Sequence, residues 1–243
     1  MSTDDQLSDF DEKRRQLLVA ALTAGVFSLN PMLANAGWWG FTPRKLEKKE
    51  SIFALEGDVK VNGNKATKNT RIDADALVET GSNSNVVFAV GSDSFIVRSN
   101  SQMQLEGSNF LLDSLRLVSG KVLSVFGQRS SRQLTMSTTI ATIGIRGTGV
   151  YMETNEDVSY LCTCYGKTDI SSNEDPSDRI SLETTHHDEP KYITKAARKN
   201  GRIIPAPFKN HTDLELKMLE TLVGREVPFG LQGNLYGGAR RDY

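Results

Sequence analysis

Short runs of β-prone residues, separated by glycine and small polar residues, fill most of the chain from residue 51 to residue 166. Typical runs are residues 86–90, 94–98 and 121–126, and glycines such as Gly81 stand between them. Such runs at intervals of roughly 8–12 residues are typical of a sandwich, barrel or solenoid of β-strands. The sequence therefore predicts an all-β domain over residues 51–166, with a sandwich- or solenoid-like arrangement.

A smaller extension, residues 167–227, follows the predicted β-domain and differs from it in texture. It begins with a polar loop, residues 167–178, and continues with a strand pair near residues 180–184 and 192–194. One helix is predicted, with Thr212 or Asp213 as its cap, Glu215 near the third position and an end at Gly224. Its apolar stripe consists of Leu214, Met218, Leu219 and Leu222.

The first 36 residues have the three-part organisation of an export signal. A compact basic cluster, Lys13-Arg14-Arg15, precedes an apolar run over residues 17–29, and Ala34-Asn35-Ala36 offers a signal-peptidase site. The run is too short to cross a bilayer, so no stable membrane anchor is expected after cleavage. The paired arginines resemble a twin-arginine signal. The sequence therefore predicts export to the periplasm, and the paired arginines favour the twin-arginine route.

Two further segments and the overall charge complete the outline. Residues 37–50 are expected to form a flexible leader and residues 228–243 a loose tail. The chain has 29 Lys and Arg residues against 30 Asp and Glu residues, a formal net charge of −1. This balance offers no electrostatic basis for binding nucleic acid.

The segment Gly144-Ile145-Arg146-Gly147-Thr148 resembles the signature of FecR domains, together with its flanking residues 139–143. The upstream segments 78–81, 86–88 and 115–123 agree with the same pattern. The likeness covers about residues 51–166. Downstream, Cys162-Thr163-Cys164-Tyr165-Gly166, His186-His187 and residues 210–213 resemble a subgroup of these proteins with the same C-terminal extension.

The resemblance implies a periplasmic, β-rich domain with a binding or sensing role in signalling. The family is named for a regulator of iron-citrate transport, an inner-membrane protein that relays a receptor's signal to a sigma factor. Here only residues 1–16 precede the apolar run. The expectation is thus a stand-alone, exported FecR-like domain without the anti-sigma segment, and the sigma-regulating role does not carry over.

The signature residues are expected to be architectural. Gly144, Gly147 and Gly149 permit a positive φ or a close backbone approach, as at a bulge or tight corner. Arg146 is expected to be a buried staple that reaches carbonyls or a carboxylate, and Thr148 can bond to the local backbone. The alternative is that these residues contact a ligand.

Every cysteine and histidine of the chain lies after residue 160: Cys162, Cys164, His186, His187 and His211. On a strand, residues 162 and 164 point to the same face, so two thiolates could bind one metal ion. The five residues are therefore a candidate metal site for zinc, with copper as the alternative. Two other interpretations stay open: small buried apolar side chains, or a strained disulfide.

Three functions follow from these patterns. The first is a non-enzymatic binding or sensing module of the cell envelope, with a protein or other envelope component as its partner. The second is a metal-binding protein that uses the cysteine and histidine residues. The third is an enzyme with Cys164 and His186 or His187 as a dyad; without an oxyanion hole or paired carboxylates in the sequence, no enzymatic activity is expected.

Overall fold

The computed structural model describes residues 43–47, 49–128 and 134–229. The predicted signal of residues 1–36, residues 37–42 and 48 of the predicted leader, and residues 230–243 of the predicted tail lie outside the described residues. Within the described part of the chain, no helix has the length and apolar character needed to cross a membrane.

The described residues form an all-β fold with one short helix, as the sequence predicts. The strands are β1 (Ile52–Glu56), β2 (Val59–Val61), β3 (Asn64–Lys65), β4 (Leu77–Thr80), β5 (Asn85–Val90), β6 (Asp93–Val97), β7 (Ser101–Ser108), β8 (Leu111–Val125), β9 (Leu134–Ser137), β10 (Ala141–Thr154), β11 (Val158–Ser172), β12 (Arg179–Thr184), β13 (Lys191–Arg198) and β14 (Gly201–Pro205); the helix is α1 (Asp213–Leu222).

All the strands belong to one continuous hydrogen-bonded network. Its main path runs β14-β13-β11-β10-β9-β8-β7-β4-β2-β3, while β1, β5 and β6 join it through β8 and β12 pairs with β11. Among the pairings described, only β8 with β9 is parallel. Antiparallel pairing suits this sequence because short turns can connect neighbouring strands directly.

The core follows from the alternation of apolar residues along these strands. Phe88 and Phe95 stack with ring centroids 5.0 Å apart, and Phe126 meets Phe95 edge to face at 5.9 Å. Each of these rings is almost fully buried. Aromatic burial of this kind dominates core energetics, with a further ~0.5–1.5 kcal/mol for each well-oriented ring pair.

The long strands differ most from the sequence expectation. Two predicted runs, residues 115–118 and 121–126, merge into β8, and β11 continues through the predicted polar loop as far as Ser172. Gly120 stays within β8 with a φ of +91°, where its missing side chain leaves room for Ser101. The predicted boundary after Gly166 therefore falls inside β11.

Helix α1 has the cap that the sequence predicts. The Thr212 side chain accepts a hydrogen bond from the Glu215 backbone, and the Glu215 carboxylate accepts one from the Thr212 backbone, which completes a capping box. Such a cap contributes about 1 kcal/mol. The buried face of α1 contains Leu216, Leu219 and Leu222 and contacts β6 and β8.

Polar contacts also fix α1 to the sheet at both of its ends. Ser94 Oγ donates to the Leu219 carbonyl at 2.7 Å in the second half of α1, and Arg98 pairs with Glu215 at 2.9 Å near its start. At the other end, the Tyr165 hydroxyl donates to Glu220, which also accepts from Arg225 Nε. A helix of ten residues is marginal alone in water, so α1 depends on these contacts.

Candidate metal centre

Four side chains from distant parts of the sequence meet in one buried cluster. One ligand atom from each of Cys162, Cys164, His187 and His211 lies within 4.8 Å of the others. Both thiols are free and fully buried, and His211 is only 2% exposed. The structure thus brings together four of the five candidate metal ligands.

Three distances within the cluster are close to the edges of a tetrahedron around a metal ion. His187 Nδ1 lies 3.1 Å from His211 Nε2, Cys164 Sγ lies 3.3 Å from His211 Nε2, and Cys162 Sγ lies 3.5 Å from His187 Nδ1. A zinc ion bonded at about 2.0–2.1 Å to nitrogen and 2.3 Å to sulfur separates two nitrogens by about 3.3 Å and a nitrogen from a sulfur by about 3.5 Å.

A β-bulge in β11 places the two cysteines. Tyr165 pairs with Gly149 and Thr163 pairs with Val150, so Cys164 has no partner residue on β10. An unpaired residue of this kind bends its strand and redirects its side chain. Two side chains that would be parallel on a regular strand can therefore converge on one point.

The FecR-like signature supplies a second bulge opposite the first. The register passes from Arg146–Lys167 to Gly149–Tyr165, so β10 has one extra residue there. Gly147 has a φ of +59°, and a Cβ at Gly149 would lie 2.5 Å from the Tyr165 ring. These glycines allow β10 to kink beside the cysteine pair.

Two other signature residues differ from the sequence expectation. Arg146 was expected to be a buried staple, but its side chain is 62% exposed and pairs with Asp169 at 3.2 Å on the surface. The side chain lies on the solvent-facing side of β10, so it is hydrated and does not reach buried carbonyls as a staple would. Thr148 is buried, yet within the described residues its hydroxyl has no hydrogen-bond partner, so it does not bond to the local backbone.

A tight turn after β12 presents His187. The backbone of His187 has a φ of +55°, in the left-handed region, and its N–H donates to the Cys164 carbonyl at 2.9 Å. The Asp188 carboxylate accepts from the Thr185 backbone and hydroxyl, at 2.8 and 3.1 Å. Uncommon backbone conformations held by several bonds concentrate at functional sites.

His211 comes from the segment that leads into α1. Its ring stacks on Tyr151 with centroids 4.5 Å apart, and the preceding residue, Asn210, has a φ of +62°. Phe208 packs against the rings of both His187 and His211, at 4.6 and 4.4 Å. The aromatic rings exclude water from this side of the cluster.

The second nitrogen of each histidine already has an acceptor. His187 Nε2 lies 3.0 Å from Asp213 Oδ1, and His211 Nδ1 donates to the Lys209 carbonyl at 2.7 Å. When the rings are neutral, these bonds favour protons on Nε2 of His187 and Nδ1 of His211, which leaves lone pairs on the two nitrogens in the cluster. In metal sites, the histidine nitrogen that does not bind the metal usually donates its proton to a carboxylate or a carbonyl.

The metal-free cluster carries one negative and one positive charge. Burial alone would raise the pKa of Cys162, but its contacts with Cys164, His187 and His211 lower it well below the ordinary value. Burial and the neighbouring Cys162 raise the pKa of Cys164. Burial would lower the pKa of His187, but hydrogen bonds to Asp213 and Cys162 raise it to about 9. Without metal, the cluster therefore keeps a thiolate beside an imidazolium.

The fifth candidate, His186, lies beside the tetrahedron and not in it. Its Nε2 atom lies 2.9 Å from Asp213 Oδ1, and its side chain is 48% exposed. Consecutive residues in a turn point in different directions, so only one of the two histidines can face the buried cysteines. Asp213, for which the sequence predicts a place in the helix cap, contacts both histidines.

The cysteine–histidine dyad considered for an enzyme is arranged differently. Cys164 lies closest to His211, and Cys162 is the thiol beside His187. Both sulfurs are fully buried, where a substrate has no direct access.

The fold and the cluster together define an all-β protein with a buried Cys2His2 centre. No protein-family model and no curated protein matches the chain. Two crystal structures of a candidate anti-sigma factor from Parabacteroides distasonis are similar, at 11% identity and TM-scores of 0.44 and 0.43. The similarity covers 54% of this chain and 58% of each of those chains.

Proposed function

We propose that this protein is a non-enzymatic, metal-binding module of the cell envelope. The observation that carries the proposal is the buried set of Cys162, Cys164, His187 and His211, whose ligand atoms lie within 4.8 Å of one another. Metal binding is the second of the functions that the sequence suggests. We place it first here because four potential metal ligands lie together in the fold.

The ligand set favours zinc held as a structural ion. Two sulfurs and two nitrogens in a tetrahedron are typical of zinc, and four protein ligands leave no open position for a reacting water. Copper(I) is the other ion that these soft ligands would accept.

The cellular setting of the proposal comes from the sequence. The signal-like residues 1–36 support export to the periplasm, and the FecR-like signature supports a binding or sensing role with a protein or envelope partner. A signalling role fits this module only if metal occupancy changes a surface that a partner can detect. Sigma-factor regulation is not part of the proposal.

Metal analysis of the purified full chain tests the proposal. Roughly one equivalent of zinc per chain is expected for a closed four-ligand site. His187→Ala removes one ligand and should lower the zinc content to below about 0.1 equivalent under the same dialysis, since structural sites require all their ligands. His186→Ala is the matched control: it changes the adjacent histidine, which lies outside the tetrahedron, and should retain zinc.

Two results would change the conclusion. Wild-type protein with less than about 0.1 equivalent of any metal, after expression with added zinc, would contradict metal binding. The cluster would then be a thiolate–imidazolium pair. Copper in place of zinc would leave the metal site but overturn the assignment of the ion.

A further inference from the structure

The segment between β14 and α1, residues 206–212, crosses the aromatic side of the cluster; we name it the strap. Beneath it lie Tyr151 and Tyr160, which are fully buried or nearly so. The Tyr160 hydroxyl donates to the Pro207 carbonyl at 3.0 Å, and the Tyr151 ring stacks on His211. The strap therefore covers two tyrosines of β10 and β11.

The strap itself buries little apolar surface. Of residues 206–212, His211 alone is buried, and the others are half-buried or exposed. Segments with few buried apolar contacts open locally at low free-energy cost. What keeps the strap closed must therefore be its polar contacts and the position of His211.

Glu153 supplies two of the polar contacts of the strap, beside those from the Ala206 N–H to the Pro190 carbonyl and from Arg98 to the Asn210 carbonyl, each at 2.9 Å. Glu153 accepts from Lys209 Nζ at 2.8 Å and from Asn210 Nδ2 at 2.6 Å, and the Tyr151 hydroxyl donates to it at 2.6 Å. The Lys209 ammonium also lies 4.5 Å from the centre of the Tyr160 ring. These contacts are partly open to water, where such bonds are weaker than in a buried site.

Helix α1, by contrast, has anchors that do not involve the cluster. Leu216, Leu219 and Leu222 are buried against the sheet, and Glu220 joins Tyr165 to Arg225 at the far end. Loss of the metal would remove a crosslink from the strap but leave these contacts in place. The effect should therefore be confined to the strap and the first turn of α1.

We propose that the metal ion works as a latch: when it is bound, His211 holds the strap over Tyr151 and Tyr160, and when it leaves, the strap opens and exposes both rings. This inference rests on the proposed metal site and gives it a regulatory role, since occupancy becomes a change of surface. The remainder of the β-sheet and the far end of α1 keep their structure in both states.

Hydrogen–deuterium exchange on the full chain tests the latch, with zinc bound, after chelation under reducing conditions, and after zinc is added back. Exchange in residues 206–215 should accelerate at least about tenfold on chelation and return on re-addition. Peptides from β5, β6 and the Glu220 end of α1 should exchange at unchanged rates. His211→Ala should exchange like the chelated protein even with zinc present.

The outcomes separate this inference from the proposed function. If one zinc binds but the strap exchanges at the same rate with and without it, the latch is wrong and the metal site stands. If chelation accelerates exchange throughout the sheet, zinc is a general structural ion and the latch is also wrong. If no metal binds at all, the proposed function fails first and the latch fails with it.

Discussion

His187 Nδ1 and His211 Nε2 lie 3.1 Å apart, although their residues are 24 positions apart in the sequence. Each ring has its other nitrogen bonded to an acceptor, Asp213 for His187 and the Lys209 carbonyl for His211. Two nitrogens with lone pairs at this distance repel each other unless a cation or a shared proton lies between them. A metal ion at this point would also use both cysteine sulfurs.

Removal of the metal should lower thermal stability. We expect chelation to reduce the Tm by about 10 °C, because a ligand at 100–1,000 times its Kd stabilises the folded state by about 3–4 kcal/mol. Scanning calorimetry under reducing conditions measures this shift. The Cys162→Ser/Cys164→Ser double variant is the control and should show no shift with chelator. Equal Tm values for wild type with and without chelator would contradict a bound metal.

Asp213→Asn should weaken metal binding without removing a ligand. The amide is a poorer acceptor for the His187 Nε2 proton, so we expect zinc affinity to fall about 10–100-fold in a competition assay with a chromophoric chelator. Unchanged zinc affinity would show that the carboxylate is not an outer contact of the site.

Glu153→Gln should weaken the strap in a pH-dependent way. Burial alone would raise the pKa of Glu153, but hydrogen bonds from Asn210, Lys209 and Tyr151 outweigh it and lower the pKa. A carboxyl group whose pKa is lowered by folding stabilises the folded protein at pH values above its pKa in the unfolded state. This stability is lost as the pH falls through its pKa in the folded state.

The zinc-bound proteins, in which the strap is closed, should therefore differ most near neutral pH. We expect Glu153→Gln to unfold about 1–3 kcal/mol more easily at pH 7, and the difference should shrink below about pH 4 as wild-type Glu153 is protonated. Urea unfolding of both proteins across this range measures the difference. A constant difference down to pH 2 would show that the ionised carboxylate is not responsible.

Gly149→Ala should disturb the kink beside the cysteines. Its Cβ would lie 2.5 Å from the Tyr165 ring, which cannot move freely because its hydroxyl donates to buried Glu220. We expect a loss of about 1–3 kcal/mol in the free energy of unfolding. Gly81→Ala is the matched control, since its Cβ would meet the nearest atom at an ordinary 3.4 Å. Equal stability of the two variants would contradict the close approach at Gly149.

Arg146→Ala should have little effect on stability, despite the place of this residue in the FecR-like signature. Its ion pair with Asp169 is exposed on both sides, and such pairs contribute about 0–1 kcal/mol. Chemical unfolding measures the change. A loss above about 2 kcal/mol would show that the side chain has a structural role beyond the surface pair.

Local patterns in the sequence were sufficient for much of the fold. Alternating apolar residues predict most of the strands, and Thr212 with Glu215 predicts the start of α1. The lengths of the strands are harder to predict from sequence. Strand β8 passes through Gly120 and β11 through a polar stretch, because pairing with neighbouring strands outweighs local preference there.

The candidate site was predictable in its residue types but not in its geometry. The concentration of cysteine and histidine after residue 160 indicates the cluster, yet the choice of His187 over His186 depends on a turn with a positive φ. Asp213 has an ordinary explanation as the first residue of a helix, so its contact with His187 could not be read from spacing. Arg146 is exposed because its side of β10 faces solvent, and the sequence does not reveal which side of the strand that is.

The position of His211 so late in the chain has a consequence for biosynthesis. Cys162 and Cys164 are translated before His211, which lies 47 residues after Cys164. During that interval the two thiols lack the imidazole that completes the tetrahedron, and an oxidant could join or modify them. For the proposed exported module, completion of the centre in a reducing compartment before export would avoid this exposure, and the predicted signal with Arg14 and Arg15 would be compatible with that order.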